Sequence, residues 1–368
     1  MKNKPFDIDI IALKFGISGE LISCREFGNG NINDTFILEF SENGEIKKYT
    51  LQSINTDVFK KPFELMSNVT GVTNHIKKYY RDLGIDPSRR TLNFLPCDDG
   101  EYCFCDSNGN HWRIYEFVDD AYTCETVDST EVFCEAGKSF GEFQNILSTY
   151  DVSTLFDTIP DFHNTAKRFE SFKKAVEENR SGRLQNVKSE VQFVLDRESD
   201  THVLTDLIEK GEIPIRVTHN DTKLNNILFD EETNKGICVI DLDTVMTGLS
   251  LYDFGDSIRS GANKTAEDDP NTDNVGIDLN LYEAFTKGFL SSAGKALTET
   301  EKKYLPFSAK LLTLECGMRF LTDYLNGDTY FKTNYPEHNL DRTRNQFKLV
   351  KDIEDNMETL IEITKKYC

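Results

Sequence analysis

The sequence contains no run of about 18 consecutive apolar residues, so no segment is expected to span a membrane. Its first residues also lack the apolar stretch that is typical of a secretory signal. Positive charge is scarce, with 42 Lys and Arg against 63 Asp and Glu and a formal net charge of −21. A surface this acidic disfavours nucleic acid and anionic membranes as partners. It remains compatible with an anionic cofactor, because backbone N–H groups and a metal ion can hold phosphate.

The nine cysteines are odd in number and scattered, so they cannot all form disulfide pairs. This pattern indicates reduced thiols and predicts a cytoplasmic location. The tightest group is Cys97, Cys103 and Cys105, for which a zinc site is the specific interpretation. Cys103 and Cys105 alternate as on a strand, and no nearby His completes a ligand set, so we do not expect zinc there.

The chain has 368 residues, of which 38% are hydrophobic and 11% aromatic, enough for two globular lobes. Strand-and-turn patterns dominate the first 118 residues, and helical periodicity dominates the rest. We expect helices over 59–83, 129–147, 190–210 and 341–366. A capping box, Thr298-Glu-Thr-Glu301, opens a further helix. The polar segment 262–274 has no periodicity and is expected to be either a lid or a mobile surface insert.

The most informative stretch is 217–228, a polar loop between two apolar runs. It carries His219, then Asp221, then Asn226 five residues after Asp221. A short polar turn follows, and an apolar strand then ends in Asp241 and Asp243. Phosphoryl transfer needs a carboxylate that orients the attacking hydroxyl and oxygen ligands that hold Mg²⁺ against the phosphates. We therefore predict that Asp221 is the catalytic base and that Asn226 and Asp241 are metal ligands.

Two alternatives accompany this prediction. Asp221 and Asn226 are also compatible with an ordinary turn that has an Asx cap. The tripeptide that begins at Asp253 spells the metal-binding Asp-Phe-Gly of protein kinases. It follows a turn instead of ending the apolar strand, so we assign the metal to Asp241, with Asp243 as second choice. Asp243, Asp253, Asp256 and His219 are then expected to support the loop.

The His219, Asp221 and Asn226 spacing, followed by Asp241, resembles the aminoglycoside phosphotransferase and choline kinase superfamily. Four further segments resemble the bacterial N-acetylhexosamine 1-kinases: 51–55, 239–246, 252–259 and 315–325. The resemblance extends from about residue 27 to about residue 330. It implies an α+β, protein-kinase-like fold with a small antiparallel N-lobe (1–118) and a larger, mostly helical C-lobe (119–368). It also implies ATP and Mg²⁺ as cofactors and transfer to the anomeric hydroxyl of GlcNAc, GalNAc or a related hexose.

The nucleotide is expected to lie against the N-lobe. Glycines between two strands allow the backbone to approach phosphate, so the candidate contacts there are Asn29, Gly30, Asn31, Asn33 and Thr35. Gln52 stands where protein kinases carry the phosphate-gripping Lys, and it brings no charge. The hinge between the lobes is placed at 116–118, so Glu116, Phe117 and Val118 are candidates for adenine contacts.

The acceptor is expected to lie against the C-lobe, beside Asp221. The resemblance places Arg319, Tyr330, His163 and Ser260 near the sugar. Two of these have structural alternatives: His163 as a buried histidine with internal partners, and Arg319 as the partner of Asp323 one helical turn away.

Three functional interpretations stay open. At Asn31 and Ser260 the N-acetylhexosamine kinases carry bulkier residues, which leaves room for another sugar. Cationic acceptors such as choline or aminoglycosides would suit the acidic charge. Gln52 leaves open a catalytically silent kinase-fold binding protein, although the presence of Asp221, Asn226 and Asp241 argues against it.

Overall fold

The computed structural model describes residues 7–28 and 32–368. The elements of the N-terminal part are α1 (Ile8–Lys14), β1 (Glu20–Glu26), β2 (Asp34–Glu42), β3 (Glu45–Ile54), α2 (Pro62–Asp82), β4 (Phe104–Cys105) and β5 (His111–Glu116). The five strands form an antiparallel sheet in the order β1-β2-β3-β5-β4.

The sheet forms because alternate residues on β2, β3 and β5 are apolar and face one core. Phe40, Leu51 and Trp112 are almost fully buried there, against α1. The tight turn between β2 and β3 places Asn43 and Gly44 at φ of 55° and 85°. Positive φ at both positions is what a two-residue hairpin turn requires, and Asn-Gly supplies it with little strain.

The C-terminal part is mostly helical and carries three short β pairings. Its elements are β6 (Ala121–Tyr122), α3 (Thr130–Leu147), α4 (Thr165–Glu178), α5 (Lys188–Leu195), α6 (Glu198–Glu209), β7 (Arg216–Thr218), β8 (Ile227–Asp230), β9 (Gly236–Val239), β10 (Met246–Gly248), α7 (Ser250–Gly261), α8 (Leu279–Ala293), α9 (Glu299–Asn326), α10 (His338–Asp355) and α11 (Met357–Lys365). Strand β7 pairs with β10, and β8 lies between β6 and β9. The capping box at Thr298 is confirmed: its side chain accepts the N–H of Glu301, and the Glu301 side chain accepts the N–H of Thr298.

The prediction of single helices over 190–210 and 341–366 is wrong in one respect, because each is broken. The first divides at 196–197, where Arg197 leaves helical geometry and pairs with Glu354 of α10. The second divides at Asn356, whose side chain donates to the carbonyl oxygen of Asp352 at 2.8 Å. Periodicity did not reveal these breaks, because the apolar stripe continues across both of them.

Apart from the short 3-10 helix Thr272–Asn274, the segment 262–274 forms no helix or strand, as expected, but specific contacts from α10 reach it. Asn345 of α10 donates to the carbonyl oxygen of Ala266 at 2.9 Å and accepts from Asn263 at 2.9 Å. Asn263 also bridges to Ile277 across the base of the segment. Because these partners come from a distant helix, no local pattern announced them. Whether the segment closes over a substrate stays a prediction.

Among residues 7–28 and 32–368, no helix is long and apolar enough to cross a membrane.

Candidate active site

A buried carboxylate holds the backbone of the loop that follows β7. Asp253 of α7 accepts the N–H groups of His219 at 3.0 Å and Asn220 at 2.8 Å. It also accepts the side-chain amide of Gln144 from α3. Asn220 is left-handed, with φ of 65°, a region that few non-glycine residues adopt without support. The surrounding helices therefore impose the conformation of this loop.

His219 lies behind the loop and is fully buried. Its Nε2 is 2.9 Å from the carbonyl oxygen of Ile240, and its Nδ1 accepts the N–H of Asp221 at 3.3 Å. Because a carbonyl oxygen can only accept, Nε2 carries the proton and the ring is neutral. The rings of Phe140 and Phe143 pack against it edge to face. His219 thus supports the loop and has no nitrogen free to act as a base.

The side chain of Asp221 is held from two sides by its own loop. Asn226 Nδ2 donates to the carbonyl oxygen of Asp221 at 2.8 Å and to its Oδ2 at 3.3 Å. Lys223 Nζ lies 2.8 Å from Oδ1, and the charge of Asp221 raises the pKa of Lys223. Since the amide nitrogen of Asn226 is engaged with Asp221, Asn226 would hold a metal ion through Oδ1.

Asp241 lies beside this loop at the end of β9. The N–H of Ile240 donates to the carbonyl oxygen of Asn226 at 2.9 Å, which joins the strand end to the loop. Asp241 is left-handed, with φ of 57°. Although Asp241 is exposed to solvent, the surrounding protein and the carboxylates of Asp243 and Asp221 raise its pKa to about 6. Carboxylates crowded in this way favour a bound cation.

The donors present fit magnesium. In the described part of the chain, no three His, Cys, Asp or Glu side chains group closely enough to hold a metal ion by themselves. Mg²⁺ does not need such a cage, because it takes one or two protein carboxylates and completes its shell with water and phosphate oxygens. Asp241 and Asn226 offer a carboxylate and an amide oxygen of that kind.

Asp243 is occupied by protein partners instead. Arg113 of β5 grips both of its oxygens, with Nη2 at 3.0 Å from Oδ2 and Nη1 in close contact with Oδ1. Asn33 Nδ2 donates to Oδ2 at 2.6 Å. Three donors on one carboxylate leave little room for a metal ion, so the geometry favours Asp241 as the ligand.

Some of the residues predicted to contact the nucleotide lie in the described part of the chain. Asn33, Thr35 and Gln52 lie together, with Gln52 Nε2 donating to Thr35 Oγ1 at 3.0 Å. Asn29, Gly30 and Asn31 lie outside the described residues.

At the hinge, the N–H groups of Glu116 and Phe117 donate to the carbonyl oxygens of Asn93 (3.0 Å) and Lys48 (3.1 Å). An adenine contact from 116–118 would therefore use the N–H of Val118 or a carbonyl oxygen.

His163 is buried beneath the catalytic loop. Its Nδ1 lies 3.1 Å from Glu315 Oε1, and its Nε2 lies 3.2 Å from the carbonyl oxygen of Asn220. Both partners can only accept, so the ring satisfies both as an imidazolium. Burial alone would lower the pKa of His163, but the charge and hydrogen bond of Glu315 outweigh it and raise the pKa. This geometry favours the structural interpretation, in which His163 supports the backbone next to Asp221.

Arg319 lies on α9 one turn after Glu315. Its guanidinium faces three aromatic rings, those of Phe162, Tyr330 and Phe331, at 5.7, 5.9 and 5.5 Å from the ring centroids. The alternative pairing of Arg319 with Asp323 is wrong. Asp323 is turned towards the end of the helix, where it accepts the backbone N–H groups of residues 329, 330 and 331, each at 2.9 Å.

Ser260 is exposed at the end of α7, where its Oγ donates to the carbonyl oxygen of Asp256 at 2.9 Å. The carboxylate of Asp256 accepts the N–H of Thr222 at 3.1 Å and the Nε of Arg259 at 2.9 Å. Asp256 therefore holds the loop one residue after Asp221.

Sequence reasoning missed Arg113, Lys223 and Glu315. The signal for Arg113 and Glu315 was a lone charge within an otherwise apolar strand or helix, which is uncommon unless a partner is supplied. Lys223 had no such signal, because a Lys in a polar loop is usually solvated.

Burial raises the pKa of the Cys97 and Cys103 thiols to about 12. Zinc binds the thiolate form, so these two thiols are poorly suited to it.

A fold with these loops and carboxylates defines a kinase-like phosphotransferase. The model of the phosphotransferase enzyme family (APH) matches residues 99–282, half of the chain. The protein belongs to this family.

Solved structures share the fold over nearly the whole chain. Aminoglycoside phosphotransferase from Alicyclobacillus acidocaldarius is 10% identical, with 99% of this chain and 98% of that chain covered and a TM-score of 0.64. Choline kinase from Cryptosporidium parvum is 15% identical, with coverage of 98% and 99% and a TM-score of 0.56. Spectinomycin phosphotransferase, solved with ADP and spectinomycin, is 13% identical, with coverage of 98% for both chains and a TM-score of 0.55. At these identities the likeness shows the fold alone.

We predict that Asp241→Asn abolishes phosphoryl transfer and slightly stabilises the fold at neutral pH. The raised pKa of Asp241 means that the folded protein binds more protons than the unfolded chain between about pH 4 and 6, so its stability falls as pH rises through that window. The substitution removes this loss. The increase in unfolding free energy should be about 1 kcal/mol or less, because Asp241 is exposed to solvent. Urea unfolding of both proteins at pH 4.5 and 7.5 measures it, and an equal difference at the two pH values would contradict the prediction.

We further predict that Glu315→Gln costs about 3 kcal/mol of unfolding free energy, the lower end expected for breaking a buried ion pair. The raised pKa of His163 contributes stability that is complete below its ordinary value and is lost as pH rises through the folded value. Wild type should therefore lose stability above about pH 6.5, and the variant should lose less. The exposed Glu362→Gln removes the same charge as a control. Parallel pH profiles for wild type and Glu315→Gln would contradict the assignment.

Proposed function

We propose that the protein is an ATP- and Mg²⁺-dependent sugar kinase that phosphorylates the anomeric hydroxyl of an N-acetylhexosamine or a related hexose. The observation that carries the kinase part is the convergence of Asp221, Asn226 and Asp241 at the junction of one loop and one strand. That arrangement supports catalysis over a silent binding role, since a binding protein has no need for a catalytic carboxylate fixed beside two metal donors. The choice of a sugar as acceptor goes beyond what family membership shows, because a fold does not determine the substrate.

Asp221 orients the acceptor hydroxyl and receives its proton as the new O–P bond forms. Lys223 fixes one oxygen of this carboxylate, and Asn226 approaches the other. Asp253 and His219 hold the backbone behind it. Such positioning accounts for much of the rate in phosphoryl transfer, which needs little covalent chemistry from the protein. Magnesium, when held by Asp241 and Asn226, would neutralise the negative charge of the phosphates.

The aromatic cluster near the loop supports a neutral acceptor over a cationic one. A quaternary or primary ammonium is commonly recognised over aromatic faces. Here the rings of Phe162, Tyr330 and Phe331 already face the protein's own cation, Arg319. Arg168 lies beside them and donates to the carbonyl oxygen of Phe162 at 2.8 Å. Two guanidinium groups repel a cationic ligand, whereas they can donate hydrogen bonds to the hydroxyl and carbonyl oxygens of a sugar.

We predict that Asp221→Asn lowers kcat by at least about 10²-fold, the scale of positioned acid–base catalysis, and leaves ATP affinity nearly unchanged. The reason is that the amide keeps the size of the side chain and loses the proton acceptor. Steady-state phosphate transfer and calorimetric ATP titration measure the two effects. Asp206→Asn, which changes a half-exposed carboxylate on α6, is the matched control. Turnover within threefold of wild type would refute the assignment.

A panel of hexoses, N-acetylhexosamines, choline and aminoglycosides with ATP tests the acceptor. We expect transfer to a neutral sugar, with ³¹P NMR placing the phosphate on the anomeric oxygen. Arg319→Met should raise KM for that sugar about 10- to 100-fold, the range expected for losing a hydrogen bond to a charged donor. Arg183→Met, which removes an arginine stacked on Tyr324, is the control. Transfer only to cationic acceptors would move the protein to an amino-alcohol or aminoglycoside kinase role.

A further inference from the structure

Strand β3 carries no cation at the position where kinases place their phosphate-gripping Lys. Gln52 occupies that position, and its side chain bridges two neighbours. Its Oε1 accepts from Arg113 Nε at 2.9 Å, and its Nε2 donates to Thr35 Oγ1 at 3.0 Å. Gln52 therefore acts as a connection between β5 and the start of β2.

A positive charge is present on the neighbouring strand, β5. Arg113 on β5 is directly opposite Gln52 in the antiparallel register. Directly opposed residues project from the same face of a sheet, and neighbouring strands are about 4.8 Å apart. The cation has thus been displaced by one strand while it keeps the same side of the sheet.

Arg113 points at the other lobe of the protein. Its side chain is 3% exposed and that of Asp243 is 4% exposed, so the pair is buried. Buried ion pairs add little net stability compared with well-packed apolar residues, and their best-attested role is to specify one arrangement. Here the arrangement is the register between the N-terminal sheet and the strand end that carries Asp241.

A second contact reaches the same carboxylate. Asn33, which directly precedes β2, donates to Asp243 Oδ2 at 2.6 Å and accepts the N–H of Asn55 at 3.0 Å. Three N-terminal segments therefore converge on one C-terminal side chain: the start of β2, β3 through Gln52, and β5 through Arg113. Asp243 is two residues after the predicted metal ligand.

We propose that Arg113 is a positioning residue on β5: through Asp243 it joins the start of β2 and the N-terminal sheet to the strand end that carries Asp241. The inference rests on the proposed nucleotide site. Arg113 itself is too buried and too fully bonded to grip phosphate directly. Its effect is to keep the start of β2, with Asn33 and Thr35, and Asp241 in one geometry, so that both face the same nucleotide phosphates.

The first test is Arg113→Met, measured by calorimetric titration with ATP and Mg²⁺ and by steady-state kinetics. We expect ATP affinity to fall at least tenfold and kcat/KM for ATP to fall at least about 10²-fold, the scale at which misplacement by about 1 Å acts. KM for the acceptor should change less than threefold. Unchanged ATP affinity and turnover would overturn the inference and leave the proposed function intact.

Arg113→Met leaves Asp243 as a buried unpaired carboxylate, which also destabilises the fold. The double variant Arg113→Met/Asp243→Asn removes both charges and should recover the unfolding temperature. We expect its ATP affinity and kcat/KM to stay at least tenfold below those of wild type. Recovery of activity together with stability would show a merely structural pair and would overturn the inference.

The sharpest test returns the cation to β3. In Gln52→Lys/Arg113→Met the positive charge lies on β3, directly across from position 113 on β5. We expect at least a tenfold recovery of ATP affinity over Arg113→Met. Gln52→Met/Arg113→Met, without the charge, is the matched control and should show no recovery. Equal affinity of the two double variants would overturn the proposal, and absence of ATP binding by wild type would overturn the proposed function together with it.

Discussion

The backbone around the three polar side chains of the candidate site is held in conformations that it does not prefer. Asn220 and Asp241 are both left-handed, with φ of 65° and 57°, and each lies next to or at a residue of the candidate site. Strain of this kind persists only where neighbours over-determine it. At Asn220, Asp253 supplies that constraint, because its buried carboxylate accepts the successive N–H groups of His219 and Asn220.

The site is organised by local charge compensation within a strongly acidic protein. The net charge of −21 suggests a surface that repels phosphate, but three buried or half-buried arginines lie around the candidate site. Arg113 is paired with Asp243, Arg259 with Asp256, and Arg319 faces aromatic rings. Among the described residues, no Lys or Arg forms an ion pair with Asp241, and its pKa is raised to about 6. A carboxylate in this condition is suited to a divalent ion.

Sequence reasoning predicted the fold class correctly and proposed a candidate catalytic loop, because both depend on short-range patterns. Spacing within 217–228 and the strand before Asp241 are local, and the capping box at Thr298 is a four-residue signal. Sequence reasoning failed where the interacting residues come from distant parts of the chain. The 262–274 segment is held by Asn345, and Arg113 and Asp243 are 130 residues apart. Helix breaks at 196–197 and Asn356 were also missed, because the apolar stripe runs through them.

The sequence by itself determined which chemical groups the protein could bring to a phosphate: a carboxylate, an amide and a second carboxylate at kinase-like spacing. It determined these because residue type and short spacing are properties of the chain alone. Only the tertiary structure decided which charged side chains interact with one another. It engages His163 with Glu315, turns Asp323 away from Arg319 and binds Asp243 to Arg113, leaving Asp241 open. Those choices depend on which side chains folding brings within about 3 Å, a distance that sequence separation does not encode.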